Sequence, residues 1–220
     1  MRTVIFDLDG TLADTSGDLI AAANHCFERM GVTARLDPSR DAGTALKGGK
    51  AMLTLGLERE GRMSADLVEQ WYPELLGAYG EALDVHTVMY PGAMAAVEAL
   101  KSSGMCVGIC TNKPEGLAQT LMTRLGVRDA FGSLVGADTL ATRKPDAAPF
   151  VAAVERAGGM VTRSCLIGDT VTDRDTARAA KVPCVLVGFG PGGGDMAALE
   201  PEAIIGHFDE LPEVALQLLG

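Results

Sequence analysis

The residues best suited to chemistry stand at the ends of short apolar runs. One run closes on Asp7-Leu8-Asp9-Gly10-Thr11, a second on Thr111-Asn112, and a third on Gly168-Asp169-Thr170, with Asp173 three residues further on. Arg143-Lys144-Pro145 precedes a helical stretch. Charge at a strand end does nothing for packing, and a buried carboxylate is costly without a partner. Several carboxylates in one small site at neutral pH need a cation to offset their repulsion. With oxygen donors and no His or Cys among them, the expected cation is Mg²⁺, which keeps waters and takes one or two carboxylates plus a substrate phosphate. A carboxylate can also attack phosphorus and form an aspartyl-phosphate. A second carboxyl two residues on can protonate the leaving oxygen and later deprotonate water. The Thr111 hydroxyl, nearby backbone N–H groups and Lys144 would hold the phosphoryl oxygens. Gly10 lets the chain turn and brings backbone N–H groups close to a phosphate.

The elements that must position these groups can be read from the pattern. TVIFDLD, MCVGICTN, SCLIGDT and VPCVLVGFG are short, apolar and bounded by Gly, Asp or Asn, as buried strands are. SLVGADT and AIIGHF add a fifth and a sixth. Helical stretches lie between them: GAMAAVEALKSSG, EGLAQTLMTRLGV, APFVAAVERAGG and DRDTARAAK. Strands alternating with helices imply an α/β fold, a Rossmann-like parallel sheet with helices on both faces. In such sheets ligands bind outside the carboxyl ends of the strands, where all the residues above converge. From Asp14 to Val85 the rhythm changes to helix only, in SGDLIAAANHCFERMG, KAMLTLGLEREG and SADLVEQWYPELLGAYGEALD. The expected division is a core of residues 1–13 and 86–220 and an inserted α-helical cap domain of residues 14–85. Trp71 and Tyr72 are expected in the core of that helical bundle.

Composition narrows the function classes. A formal net charge of −10 repels phosphate backbones, so no nucleic-acid partner is expected. No apolar run approaches the roughly 20 residues that span a bilayer, and Asp7 and Asp9 interrupt the only early apolar stretch, so neither a membrane nor a signal peptide is expected. Cys26, Cys106, Cys110, Cys165 and Cys184 are odd in number and form no close CxxC pair; they read as buried, reduced thiols of a cytoplasmic protein.

DLDGT (7–11), TN (111–112), KP (144–145) and GDTVTD (168–173) match, in order and spacing, the four motifs of the haloacid dehalogenase-like hydrolase superfamily, which the chain resembles along essentially its whole length. The helical insert resembles the α-helical cap of the superfamily's phosphoglycolate phosphatase and β-phosphoglucomutase branch. The resemblance implies Asp7 as nucleophile and Asp9 as general acid/base. It implies Mg²⁺ held by the Asp7 side chain, the Asp9 backbone carbonyl and Asp169, with Asp173 supporting directly or through water. Gly10, Thr111, Asn112 and Lys144 would bind phosphate. Members that cleave carbon–halogen or phosphonate bonds lack an acid at the second position, so Asp9 favours phosphomonoester chemistry. The implied substrate is a small phosphorylated metabolite, phosphoglycolate first, handled by a monomer or homodimer. The alternatives are a β-phosphoglucomutase-type phosphoryl transferase, a pyrophosphatase or nucleotidase, and a non-catalytic binding protein on the same scaffold.

Other stretches carry less. GFGPGG (188–193) fits G-x-G-x-x-G, but too little chain follows for a dinucleotide fold, and it reads as a loop beside the site. GTALKGGKAM (43–52) misses phosphate-loop spacing. Relatives carry a Gly-containing cap loop there that contacts the non-phosphate part of the substrate, which makes Lys47, Gly48, Gly49 and Lys50 candidates for specificity. Asp14 and Asp175 read as helix-terminal or surface acids, and His25, His86 and His207 as structural or surface residues. Lys181 stands where relatives usually have Gly, a departure that touches a helix end only.

Overall fold

In the computed structural model, which describes residues 1–190 and 195–220, Thr3–Phe6 forms β1, a strand buried at every position. The chain continues through β2 (Ala13–Asp14), α1 (Ser16–Met30), α2 (Pro38–Ala45), α3 (Gly49–Arg59), α4 (Ala65–Glu81), β3 (Val88–Met89), α5 (Ala93–Ser102), β4 (Cys106–Cys110) and α6 (Glu115–Arg124). It ends with β5 (Ser133–Val135), α7 (Ala147–Arg156), β6 (Ser164–Gly168), α8 (Val171–Ala180), β7 (Cys184–Val187), β8 (Ala203–Ile205) and α9 (Leu211–Leu219). Two compact units result, Met1–Ala13 with Met89–Gly220, and Asp14–Val88.

The first unit holds a six-stranded sheet in the order β5-β4-β1-β6-β7-β8, with every pairing parallel. Parallel strands covered on both sides read as continuous apolar runs, as these do. Ile5, Leu166 and Leu186 pack into one cluster with Phe150, Ala153 and Val154 of α7 and Ala177 of α8. Helices α5 and α9 pack on each other and against β4 and β6. This is the expected α/β fold, with all six strand runs in one sheet. Helix α9 had no counterpart in the sequence reading.

The second unit is helical. Helices α1, α3 and α4 bury Ile20, Ala23, Phe27, Met52, Leu53, Leu57, Leu75 and Tyr79 between them. Asn24 exchanges two hydrogen bonds with the backbone of Leu36, 2.8 and 2.9 Å, and so ties the α1–α2 loop down. Helix α2 was not expected; its sequence PSRDAGTA buries only Asp41 and Ala45, too little to leave a helical apolar pattern. Trp71 and Tyr72 are half-buried and not core, because Leu75 and Tyr79 fill the centre of the bundle. His86, Thr87 and Val88, read above as the start of the returning core, group with the helices. Asp18, 2% exposed, accepts from both the His86 and Thr87 N–H groups at 2.9–3.0 Å.

Four of the five cysteines are buried and all are free thiols. Among the described residues no helix is long and apolar enough to cross a membrane.

Candidate active site

The three central strands end level with one another. Phe6 of β1 lies opposite Ile109 of β4 and Ile167 of β6, so the chain leaves all three at one edge. Asp7 follows Phe6 directly, Thr111 follows β4 and Asp169 follows β6. The Asp7 N–H still donates to the Ile167 carbonyl at 2.8 Å, extending the ladder by one residue and fixing where its side chain starts. Gly10 then turns the loop with φ 82, a conformation unfavourable for residues with a Cβ, and donates to the Ala13 carbonyl at 2.9 Å.

Lys144, 3% exposed, reaches this edge from the loop before α7. Its Nζ sits 3.0 Å from Asp7 Oδ1 and 2.6 Å from Asp173 Oδ1. Asn112, itself exposed, donates to the Lys144 carbonyl at 3.0 Å and so joins the loop after β4 to the loop carrying the lysine. Asp173 stands in the first turn of α8, where its Oδ2 accepts from the Thr170 N–H at 3.1 Å and the Thr170 hydroxyl at 2.7 Å. It therefore caps a helix and neutralises a lysine at once. Gly168 makes this approach possible, since a Cβ there would lie 2.3 Å from the Asp173 carboxyl carbon. Thr11, absent from the residues singled out in the sequence although it belongs to DLDGT, is fully buried and donates to Asp169 Oδ1 at 2.9 Å.

Burial sets the electrostatics. It pushes the Asp7 carboxyl up to about 6; Lys144 opposes the rise, while Asp173 and Asp9 add to it. Asp169 is driven well above the ordinary carboxylate range, again by burial first and by Asp173 and Asp7 after it. Burial works against the Lys144 ammonium, but the carboxylates of Asp173 and Asp7 outweigh it and raise its pKa. The neighbouring Cys110 thiol is pushed up to about 12 by burial and stays protonated.

These groups fit a divalent cation. One carboxylate oxygen from each of Asp7, Asp169 and Asp173 lies within 4.8 Å of the other two. Asp169 Oδ2 is buried with no hydrogen-bond partner, a position a protein group alone leaves unsatisfied. Counting Asp9, four carboxylates face the ammoniums of Lys144 and Lys113, which leaves two negative charges when all are ionised. A hard dication with oxygen preference balances both the charge and the unused oxygen.

Lys113, like Thr11, is a residue that the sequence did not single out. It is 5% exposed, and its Nζ grips Asp9 at 2.7 Å from Oδ1 and 3.0 Å from Oδ2. The only sequence signal is adjacency, because Lys113 directly follows Thr111-Asn112. Thr111, 2% exposed, accepts the Lys113 N–H on its hydroxyl at 3.2 Å.

The remaining candidates stand on other segments, of which the Gly-rich stretch after β7 comes against the site loop: a Cβ on Gly190 would lie 3.1 Å from the Gly10 carbonyl oxygen. In the helical unit Gly48 caps α3 with φ 97, Gly49 is buried against Leu75 and Tyr72, and Lys47 is exposed. Lys50 pairs with Glu69 at 2.5 and 2.7 Å and lies 5.1 Å over the Tyr72 ring. In the Gly-rich stretch after β7, Phe189 packs between Tyr90 and Phe208, with ring centroids 5.1 and 5.2 Å away. Pro191, Gly192 and Gly193 of that stretch lie outside the described residues. Asp14 accepts from the Ser16 N–H and hydroxyl at the start of α1, and Asp175 pairs with Arg178 on the surface of α8. His25, His86 and His207 are all exposed. Lys181 adopts the left-handed conformation, φ 57, at the end of α8, which explains why glycine suits that position.

Residues 4–187 match the sequence model of the haloacid dehalogenase-like hydrolase family. The chain is 34% identical to a phosphoglycolate phosphatase of Agrobacterium fabrum over 218 residues, 98% of this chain and 92% of that one. It is 35% identical to a phosphoglycolate phosphatase of Mesorhizobium japonicum over 219 residues, 98% and 96% of the two chains. Its fold superposes on the crystal structure of a predicted phosphoglycolate phosphatase from Haemophilus somnus 129PT with a TM-score of 0.84, at 22% identity and 97% coverage of both chains.

Proposed function

From a chain that belongs to the haloacid dehalogenase-like hydrolase family, with two unlike carboxylates on one loop, we propose a Mg²⁺-dependent phosphomonoester hydrolase that acts through an aspartyl-phosphate. The observation that carries this reading is the difference between Asp7 and Asp9. The side chains of Asp7 and Asp9 are almost equally exposed, 12% and 17%, but their partners differ: Asp7 shares Lys144 with Asp173 and clusters with Asp169, whereas Asp9, two residues on, is held by a separate lysine. One carboxylate is built into the charge cluster; the other stands beside it, paired with its own lysine, and takes the acid–base role.

Asp7 attacks phosphorus with a carboxylate oxygen; the new P–O bond forms as the ester P–O bond breaks. Asp9 gives its proton to the departing alkoxide oxygen. Water then attacks the acyl phosphate at phosphorus, passing a proton back to Asp9, and inorganic phosphate leaves with Asp7 restored. Lys144 and the Thr111 hydroxyl bind the phosphoryl oxygens through both steps. Gly10 serves the turn and not the phosphate, since its N–H goes to the Ala13 carbonyl and those of Thr11, Leu12 and Ala13 go to the Leu8 carbonyl. Asn112 holds the lysine loop through its 3.0 Å bond to the Lys144 carbonyl. Bound Mg²⁺ supplies charge neutralisation and polarises the phosphoryl group. The Asp7 and Asp169 side chains and the Asp9 carbonyl would hold it, with Asp173 in support. Both Asp173 oxygens already serve Lys144 and the α8 turn, which favours support through water over direct ligation.

The names of relatives at 34–35% identity over nearly the whole chain support 2-phosphoglycolate as the substrate. Substrate selection we assign to the helical unit, with Lys47, Gly48, Gly49 and Lys50 as its contact loop. The test is phosphate release from 2-phosphoglycolate, pyrophosphate, sugar phosphates and nucleoside monophosphates, each with Mg²⁺ and with a chelator. A parallel assay follows isomerisation of β-glucose 1-phosphate primed by its bisphosphate. Metal-dependent release with 2-phosphoglycolate at the highest kcat/KM is expected. Faster isomerisation than hydrolysis, or no metal-dependent release at all, overturns the reading.

A further inference from the structure

The site holds two ammonium groups, and the reaction as derived uses one. The other, Lys113, is a charge whose side chain is 2% exposed, and a lysine is buried this far only against a counter-charge. Its partner is Asp9, gripped at both oxygens, 2.7 and 3.0 Å.

Both backbones of this pair are held by their own loops; Asp9 lies in a bridge with Ala13. The Lys113 backbone is fixed on both sides: its N–H donates to Thr111 Oγ1 at 3.2 Å, and its carbonyl accepts from the Ala137 N–H at 2.9 Å. Gly136 packs against the same segment, since a Cβ there would come 2.8 Å from the Lys113 carbonyl oxygen. Lys113 also rises from the loop after β4, whereas Asp9 comes from the loop after β1. A brace between two loops fixes the orientation of the short aspartate side chain at one end.

The charge layout supplies the reason such a brace matters. Lys144 is shared by Asp7 and Asp173, at 3.0 and 2.6 Å. A third carboxylate beside them is attracted to that ammonium, or to the cation, and away from the place where a leaving oxygen departs; the Lys113 ammonium opposes that pull. Positioned proton transfer contributes on the order of 10² to 10⁴ in rate, and a misplacement of about 1 Å costs on the order of 10².

The geometry points to Lys113 as the positioning residue of the acid–base step: its ammonium holds the Asp9 carboxylate in its working orientation and apart from the Lys144 cluster. This rests on the acid–base role assigned to Asp9 above. Lys113 acts through Asp9 and not on the phosphate.

The experiment compares wild type, Lys113→Met, Lys113→Gln, Asp9→Asn and the Asp9→Asn/Lys113→Met double variant, each saturated with Mg²⁺ and shown to be folded by circular dichroism. Lys113→Met is expected to lower kcat by roughly 10–100-fold and leave KM within about threefold. In the Asp9→Asn background the same substitution is expected to change kcat by less than about twofold, since no acid–base group remains to be positioned. Lys113→Gln carries the same expectations should the methionine variant not fold. The inference is overturned by a wild-type kcat in the lysine variants. An equal rate loss in both backgrounds, or a tenfold rise in KM with kcat intact, overturns it too, and the latter would mark a direct phosphate ligand. Failure of the underlying reading looks different: Asp9→Asn would keep wild-type turnover, or the wild type would turn over no phosphate ester.

Discussion

Asp41 in the helical unit and Asp169 in the core unit are buried almost equally, 4% and 3% exposed, but their surroundings treat the charge in opposite ways. Asp41 takes both arms of Arg59 at 2.7 and 2.8 Å and the Asp37 N–H at 2.8 Å, and those bonds hold its carboxyl below the usual range. Asp169 has one hydroxyl on Oδ1, nothing on Oδ2, and two further carboxylates nearby, and its pKa is raised. A carboxylate kept for architecture sits with its counter-charge. Asp169, to which the proposed function gives a cation, sits among surplus negative charge.

The comparison breaks most visibly in rate. Asp7→Asn and Asp169→Asn are each expected to lower turnover by about a thousandfold or more, because one removes the attacking oxygen and the other a cation-holding oxygen. In chelator, neither should unfold more easily than the wild type, since each substitution removes an under-compensated charge. Turnover with Mg²⁺ and urea denaturation in EDTA check the two halves together. A metal-free Asp169→Asn protein clearly weaker than wild type would mean that Asp169 is structural, like Asp41.

Acid–base linkage gives the next largest effect. The folded-state pKa of Asp7, about 6, lies above the 3.8 of an unperturbed aspartate. The folded state therefore holds the proton more tightly, so this group's stabilising contribution is complete below about pH 4 and is lost as pH rises through 6. At roughly 1.4 kcal/mol per pH unit, the metal-free wild type should lose on the order of 2–3 kcal/mol relative to Asp7→Asn between pH 4 and 7. Saturating Mg²⁺ should offset the loss, because it binds the ionised form. Denaturation curves in EDTA that run parallel for wild type and Asp7→Asn across this range would remove the linkage.

How much of this was legible beforehand depended on whether a residue's job broke a local rule. Asp7 and Asp169 stand out in the sequence because charge at the end of a buried strand serves no packing purpose, and Lys144 because it stands just before a helix between them. The four central strand runs read clearly because both faces are covered, whereas β5 and β8, each only three residues long, read more weakly. Lys113 breaks no local rule. A lysine after Thr-Asn reads as an exposed turn residue, and its burial comes from loops that are distant in sequence, at Asp9 and Ala137. Thr11 was hidden similarly, its target Asp169 lying 158 residues away. Asp41 and Arg59 sit 18 residues apart on different helices, beyond the reach of any helical spacing rule. Trp71 and Tyr72 were misjudged because ring size says nothing about depth; Tyr72 ends at the rim, against Gly49 and beneath Lys50.

The smallest effect is expected from Asp41 itself, and it should run in the opposite direction to Asp7. Asp41→Asn keeps the shape and one acceptor oxygen but removes the charge that faces Arg59, whose side chain is 43% exposed and can turn to water. The cost should accordingly stay near 1–2 kcal/mol of folding stability, below that of a fully enclosed pair. Turnover per folded molecule should stay within about threefold, since Asp41 belongs neither to the carboxylate cluster nor to the Lys47–Lys50 loop assigned to substrate selection. The sign with pH follows from the lowered folded-state pKa. The contribution is present above the unfolded pKa and is lost as pH falls from there through the lower folded-state pKa, so wild type and Asp41→Asn should draw together in acid. Urea denaturation at pH 7 and at pH 3–4 measures both values. A difference that widens in acid would place Asp41 with the under-compensated carboxylates, and the contrast between the two units would be gone.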